Sequence, residues 1–278
     1  MTKEIRTLEA KDLGALREML QVNEIANVVP IAHLGTRARH YLRSPINDFL
    51  GLFEDGQLES ALLTGANLMP INIQQDQIVL LADSLRLMGR RCSSIVGPSQ
   101  QVLSLWSVLE PTWGRAREVR ESQPLLALGT YSKIELDNHV RYSTRMDLDA
   151  LFPACVDMFT QEVGVSPVLH GSAAYRSRVS ELISHRHSFI RTSGDEVIFK
   201  AEVGVVSTDV AQIQGVWVNP KFRGQGLAAS AMAAVVKYVI DDIAPMATLY
   251  VNSYNKPAIA TYLKTGFSQV DTFATVLF

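Results

Sequence analysis

The sequence predicts an α/β protein built twice over, each half a mixed, twisted sheet flanked by helices. Three observations point there. Apolar residues switch repeatedly between a period of two and a period near 3.6, so strands and helices follow one another. The order of these elements is the same in both halves. The chain has 278 residues, 47% hydrophobic and 19% charged, enough for about two domains with separate cores. The halves are assigned to residues 1–135 and 136–278.

The first half opens with a strand at Ile5–Leu8. A helix from Lys11 to Gln21 follows, with Leu13, Leu16, Met19 and Leu20 on one face. Extended segments at Phe49–Glu54 and Leu58–Leu68 flank Asp55-Gly56, a dipeptide suited to a tight hairpin. A helix at Asp76–Met88, a strand at Cys92–Val96, a helix at Ser99–Leu109 and an extended stretch at Pro124–Leu128 complete it. The second half begins near Tyr131–Asn138, with a strand at Val140–Thr144. Helices follow at Asp147–Glu162 and Ala174–Ser184, then strands at Ser188–Thr192, Val197–Val206 and Val210–Val218. After a glycine turn and its helix come a strand at Ala247–Asn252, a helix at Asn255–Thr265 and a last strand at Ser268–Phe278.

Composition narrows the function. A net charge of -2 and no basic stripe argue against nucleic acid or an anionic membrane surface as partner. Two cysteines, Cys92 and Cys155, cannot build a disulfide framework. The charged N-terminus has no apolar core for a signal peptide, and no apolar run reaches the roughly 18 residues of a membrane span. A cytoplasmic protein is expected. His185-Arg186-His187 lacks a third ligand at useful spacing, so no metal is expected. No G-x-S-x-G occurs to suggest a serine hydrolase.

The informative stretch is VWVNPKFRGQGLAASAMAAVVKYVI, Val216 to Ile240. A strand meets a turn with Gly224 and Gly226, and a helix starts at once. Its stripe is Leu227, Met232, Val235, Val236, Val239, Ile240 and Ile243. Ala228, Ala229, Ser230 and Ala231 are small enough to admit close approach to the backbone. The first amides of a helix have no internal partner, and its N-terminus carries about half a positive charge. Strand, glycine turn and helix together suit a phosphate, with Lys221 and Arg223 adding charge. The spacing fits neither a Walker loop nor the dinucleotide fingerprint.

The stretch Arg223-Gly224-Gln225-Gly226-Leu227-Ala228 resembles the R/Q-x-x-G-x-G/A signature of the GNAT acyltransferases. Asn255-Lys256-Pro257-Ala258-Ile259-Ala260-Thr261-Tyr262-Leu263-Lys264-Thr265-Gly266-Phe267 resembles that family's N-x-x-A-x-x-x-Y-x-x-x-G-F helix. The resemblance covers about Val140 to Phe278 and implies tandem GNAT-like domains, the second catalytic. It implies acetyl-CoA as cosubstrate, with its pyrophosphate on the backbone of Arg223, Gly224, Gln225, Gly226, Leu227 and Ala228. Val216, Trp217 and Val218 of the strand and Asn255 would add contacts. The acceptor would be an amine on a small molecule, amino acid or peptide.

Acyl transfer to an amine needs a proton donor for the leaving thiolate and an acceptor for the amine's proton. The resemblance gives the acid to Tyr262, a phenol protonated near neutrality. Some members carry a glutamate on the strand before the turn, but here that strand reads Ala211-Gln212-Ile213-Gln214. Strand alternation and a hairpin at Ser207-Thr208-Asp209 would gather Lys200, Glu202, Gln212 and Gln214 into one polar patch. Glu202 is then a candidate base, or part of a structural pair. Glu162, at the end of the helix before Gly164, is the other candidate. The corresponding turn of the first half, Asn72-Ile73-Gln74-Gln75-Asp76, has no glycine, and Asp76 is expected to cap its helix. That half reads as a degenerate copy without CoA binding. A non-catalytic acyl-CoA sensor is the rival reading.

Overall fold

The structure, a computed structural model, describes residues 2–37 and 45–278. The first part of the chain forms β1 (Lys3–Thr7), α1 (Leu13–Gln21), α2 (Val28–Arg37), β2 (Phe49–Glu54), β3 (Gln57–Leu63) and β4 (Asn67–Ile71). It continues through α3 (Ile78–Met88), β5 (Ser94–Pro98), α4 (Ser99–Trp113) and β6 (Glu118–Leu128). The rest forms β7 (Arg141–Tyr142), α5 (Leu148–Val163), α6 (Ala173–Ser184), β8 (Ser188–Ser193), β9 (Glu196–Val206) and β10 (Val210–Val218). Last come α7 (Leu227–Asp242), β11 (Met246–Tyr250), α8 (Lys256–Thr265) and β12 (Ser268–Leu277).

The chain divides into two compact units. Unit 1 comprises Met1–Leu125, Tyr250–Asn255 and Gln269–Phe278; unit 2 comprises Leu126–Leu249 and Lys256–Ser268. In unit 1 the strands run β1-β2-β3-β4-β5-β12, with the start of β6 beside β12. The β2–β3 hairpin turns at Asp55 (φ 48°) and Gly56 (φ 83°), the left-handed pair that matches strand twist. β4 pairs parallel with β5, and α3 makes the crossover between them. In unit 2 the order is the end of β6, then β11-β10-β9-β8-β7. There β10 pairs parallel with β11 across α7. The same strand–helix–strand unit, flanked by an antiparallel hairpin, therefore occurs in both.

The last strands depart from simple repetition. β12 pairs antiparallel with β5, from Phe273 opposite Pro98 to Leu277 opposite Ser94, within unit 1. Thr275 and Gln123 join β12 to the start of β6 by a 2.6 Å hydrogen bond. The end of β6 stands next to β11 in unit 2, where Thr248 Oγ1 donates to the Leu126 carbonyl at 2.8 Å.

Unit 1 buries apolar clusters on both sheet faces. Leu81, Leu85, Leu105 and Leu109 of α3 and α4 cover one, and Leu16 and Leu20 of α1 pack with Phe49 and Phe53 on the other. In unit 2, Leu151, Cys155 and Met158 of α5 and Val179 of α6 pack on Ile190 and Trp217. Helix α7 is buried over more than the expected stripe. Ala229, Ala231, Ala233 and Ala234 are buried beside Met232, Val235, Val236 and Val239. Its alanines are thus explained by close packing in the protein as well as by access to its N-terminus.

Other departures have local causes. α2 lies in a stretch for which no element was expected; Pro30 falls in its first turn, where its missing N–H costs nothing. The single extended stretch at Leu58–Leu68 is two strands, β3 and β4, paired antiparallel from Ala61 opposite Ile71 to Leu63 opposite Met69. β6 begins at Glu118, earlier than expected, since its first half is polar. Among the described residues no helix is long and apolar enough to cross a membrane.

Candidate functional site

The glycine turn of unit 2 is held in a fixed form by its own first residues. Asn219 accepts from the Lys221 amide through Oδ1 at 3.1 Å and from the Phe222 amide through its carbonyl at 2.8 Å. The Arg223 amide donates to the Pro220 carbonyl at 3.4 Å. The bare run of amides therefore starts at Gly224, one residue later than the sequence suggested. Gly224 (φ 75°) and Gly226 (φ 79°) are both left-handed, and a Cβ at either would meet no atom within 4 Å. Gly226 is the N-cap of α7, and no side chain caps that helix. The amides of Leu227 and Ala228, in the first turn, have no partner within the helix and no side-chain cap. A cavity of about 650 Å³ opens beside the turn. Gln225, Gly226 and Leu227 line one side of it, and Arg191, paired with Asp137 at 2.9 Å, lines another.

The two expected cations are engaged elsewhere. Lys221 Nζ binds Glu196 Oε1 at 3.0 Å. Arg223 donates through Nε to the Val218 carbonyl at 2.9 Å and through Nη2 to Gln161 Oε1 at 2.9 Å. Arg223 therefore ties the turn to the end of α5 through neutral acceptors, which leaves its full charge beside the helix amides.

The strand leading into the turn is irregular. β10 keeps parallel pairing with β11 only from Val210 to Gln212. Its pairing with β9 shifts register between Gln212 and Ile213, and again between Gln214 and Trp217. The first shift falls on β9, at Gly204, so Gln212 keeps the face of Gln214 and stands opposite Val205, outside the hydrogen bonds that join Lys200, Glu202 and Gln214. The second falls on β10 and overturns the simple alternation there. Trp217 comes opposite Lys200 and joins the core under α5, its indole N–H donating to Asp157 at 2.8 Å. Of the strand residues Val216, Trp217 and Val218, only the two valines stay half-exposed.

What remains of the patch is a compact trio. Gln214 stands opposite Glu202 in register, as expected. Lys200 is 0% exposed and donates to Glu202 Oε2 at 2.8 Å, while Gln214 Nε2 donates to Glu202 Oε1 at 3.1 Å. Burial disfavours the Lys200 charge, but Glu202 and the neighbouring Cys155 outweigh it and hold the ammonium above its ordinary pKa. Burial pushes the Cys155 thiol up. Two strand glycines make room for the trio. A Cβ on Gly215 (φ 59°) would lie 2.9 Å from Glu202 Cδ and 3.0 Å from Lys200 Nζ. A Cβ on Gly204 would lie 2.1 Å from Gln214 Cδ. Glycine inside a strand signals such close approach, and that signal was readable though it was not used.

Tyr262 lies in α8, 7% exposed, its ring edge-on to Phe267. Burial raises its pKa, and the charge of Glu162 raises it further. The structure thus brings Glu162 and Tyr262 within electrostatic reach across 100 positions of sequence. α8 stops at Gly266 (φ 112°), with the Phe267 amide bonded to the Tyr262 carbonyl at 3.1 Å. Asn255 is grouped with unit 1, and its amide donates to the Asn252 carbonyl at 2.9 Å.

The matching turn of unit 1 is closed by side chains. Gln77 Oε1 accepts from the Gln74 amide at 3.0 Å, and Gln101 Oε1 accepts from the Ile73 amide at 2.9 Å. The expectation that Asp76 is the cap is corrected. Gln74 and Gln77 form the cap, and Asp76 reaches Lys3 at 3.5 Å instead. The physical outcome is similar, since amides that would face an anion already have partners.

Residues 163–267 match the acetyltransferase (GNAT) family, and residues 47–151 match a domain of unknown function, DUF4081. No curated protein matches the sequence. Solved structures similar to the chain include a Drosophila protein, 13% identical, with a TM-score of 0.68 over 100% of this chain and 99% of that one. A GCN5-related N-acetyltransferase from Sphaerobacter thermophilus is 14% identical, with a TM-score of 0.63 over 98% of this chain and 94% of its own. An acetyltransferase of the GNAT family from Colwellia psychrerythraea is 13% identical, with a TM-score of 0.60 over 99% of both chains. At such identities the likeness is one of fold. The chain has the GNAT fold in tandem, with a GNAT-family domain at residues 163–267 and a DUF4081 domain at residues 47–151.

Proposed function

We propose that this protein is an N-acyltransferase that moves an acetyl group from acetyl-CoA to a primary amine by direct attack. The observation that carries the reading is the uncapped start of α7 behind two left-handed glycines with open space around them. The amides of Gly224 to Ala228 are suited to hold a pyrophosphate, and acetyl-CoA would supply the activated acyl group. Val216 and Val218, on the stretch of β10 that has parted from β11, fit the pantetheine arm.

Tyr262 is the proton donor in this reading. Burial and the Glu162 charge keep its phenol protonated, so it is available to the departing sulfur. Glu162, exposed at the end of α5, takes the amine's proton. Glu202 already accepts hydrogen bonds at both oxygens, which suits a residue that orients others. Residues 1–135 are the copy without CoA binding, because glutamine side chains occupy the amides of the matching turn.

A non-catalytic acyl-CoA sensor is the second reading. It is favoured by glutamines at positions 212 and 214, and by the capture of Glu202 by Lys200. Release of free CoA thiol, followed over a panel of small amines, amino acids and peptides, separates the two. Amine-dependent release that falls by roughly 10²-fold or more in Tyr262→Phe supports the transferase. Tight acetyl-CoA binding without release on any amine supports the sensor.

A further inference from the structure

We propose that Gln214 is the residue that binds the incoming amine, and that the buried Lys200–Glu202 pair exists to orient its amide. The inference rests on the acyltransferase reading and assigns its acceptor contact.

The argument begins with hydrogen-bond chemistry. An ionised carboxylate only accepts, so the Gln214 group 3.1 Å from Glu202 Oε1 must be the NH₂. Lys200, wholly shut away from solvent, donates to the other carboxylate oxygen, Oε2, at 2.8 Å. The amide cannot flip without placing its carbonyl against the carboxylate. Its Oε1 is left as an acceptor on an exposed side chain. An amine nitrogen needs such an acceptor to be aimed, and a glutamine provides one without competing for the proton.

Placement agrees with this role. Gln214 lies two residues beyond the last β10–β11 pair, at Gln212, and immediately before the bulge that leads to the glycine turn. Space has been cleared for this conformation. The Gln214 amide lies where a Cβ on Gly204 would be, 2.1 Å from its Cδ and Oε1. Gly204 is not left-handed, so its lack of a side chain is explained by the amide lying over it rather than by backbone geometry. Gly215 does the same for Glu202 and Lys200. Two glycines, a buried lysine and a buried glutamate thus converge on one exposed amide. A structural pair that only filled the core would not need its third member at the surface.

The test uses the full chain and two readouts. The Gln214 side-chain amide resonance, identified as the one missing in Gln214→Leu, is followed while primary amines are added: alkylamines, amino-acid amides and lysine peptides. The same amines are assayed for CoA release from acetyl-CoA. The expected result is a shifted Gln214 resonance with each amine that is turned over. Gln214→Leu should raise the KM for that amine by roughly tenfold, the value of one hydrogen bond, with kcat and acetyl-CoA affinity unchanged. Gly204→Ala should do the same, because its new Cβ displaces the amide. Turnover with no shift, or an unchanged KM in both variants, overturns the proposal. A shift without turnover overturns the acyltransferase reading and leaves Gln214 as an amine-binding residue. Neither shift nor turnover removes both.

Discussion

Replacing Gly215 with alanine tests the packing beneath β10. Gly215 has φ 59°, and an L side chain there costs about 1–2 kcal/mol through its Cβ. The Cβ would also stand 2.9 Å from Glu202 Cδ, 3.0 Å from Lys200 Nζ and 3.0 Å from Met158 Cε. None of these can move cheaply, since Lys200 is 0% exposed and bound to Glu202. Overpacking of this kind costs about 1–3 kcal/mol, so the total loss should be about 2–5 kcal/mol. Gly224→Ala is the control. Its φ is 75°, but nothing lies within 4 Å of the added Cβ, so only the backbone term of about 1–2 kcal/mol applies. The assay is native-state hydrogen exchange at the slowest amides of β9, around Phe199 and Ala201. Exchange should quicken by roughly 30- to 5,000-fold in Gly215→Ala and by roughly 5- to 30-fold in Gly224→Ala. Equal acceleration in the two variants would refute the claim that the buried pair demands glycine at 215 in addition to backbone geometry.

Two further outcomes are expected. Asp12 is bonded to Arg6 at 2.6 Å, which outweighs burial and lowers its pKa from the usual 3.8 to about 2. A depressed carboxylate stabilises the fold above its unfolded pKa and loses that effect as it protonates. The stability difference between the wild type and Arg6→Gln should therefore shrink as pH falls from about 4 to about 2, as read from urea midpoints; a constant difference would contradict the pairing. Deleting residues 1–138 removes β5 and β6, leaving β12 without its antiparallel partner and β11 without a neighbour on one side. Unpaired edges associate, so the fragment should elute as aggregate on size exclusion. A monomeric fragment that binds acetyl-CoA would show that the remaining strands suffice.

How far the sequence reached depended on whether a feature was local. Gly224, Gly226 and the helix after them announce the uncapped turn within a dozen residues, because a bare helix start depends on the chain's own φ values and the absence of a cap. Tyr262 was singled out by its place in the stretch that resembles the family's N-x-x-A-x-x-x-Y-x-x-x-G-F helix. The hairpin at Asp55-Gly56 was legible as a turn, and Gln214 falls opposite Glu202 as expected, though only because the irregularity at Gly204 offsets a one-residue slip beside the Ser207–Asp209 turn. α2 carries two valines and a proline in its first turn, poor helix formers, so its packing rather than its propensity forms it.

The sequence by itself determined the fold class and the two-fold order of elements, which follow from short-range periodicity, and the glycine turn before a bare helix start, which follows from dihedral preference; Tyr262 was singled out by the family resemblance. Only the tertiary structure decided three other matters. The register shifts between β9 and β10 depend on what each strand presents to the other, and the second sent Trp217 into the core. The meeting of Glu162 with Tyr262, and of Cys155 with Lys200, joins residues whose separation in sequence carries no signal. The pairing of β12 with β5 was equally hidden, because a strand's own residues do not say which edge it completes: its backbone donors and acceptors are the same whichever partner satisfies them.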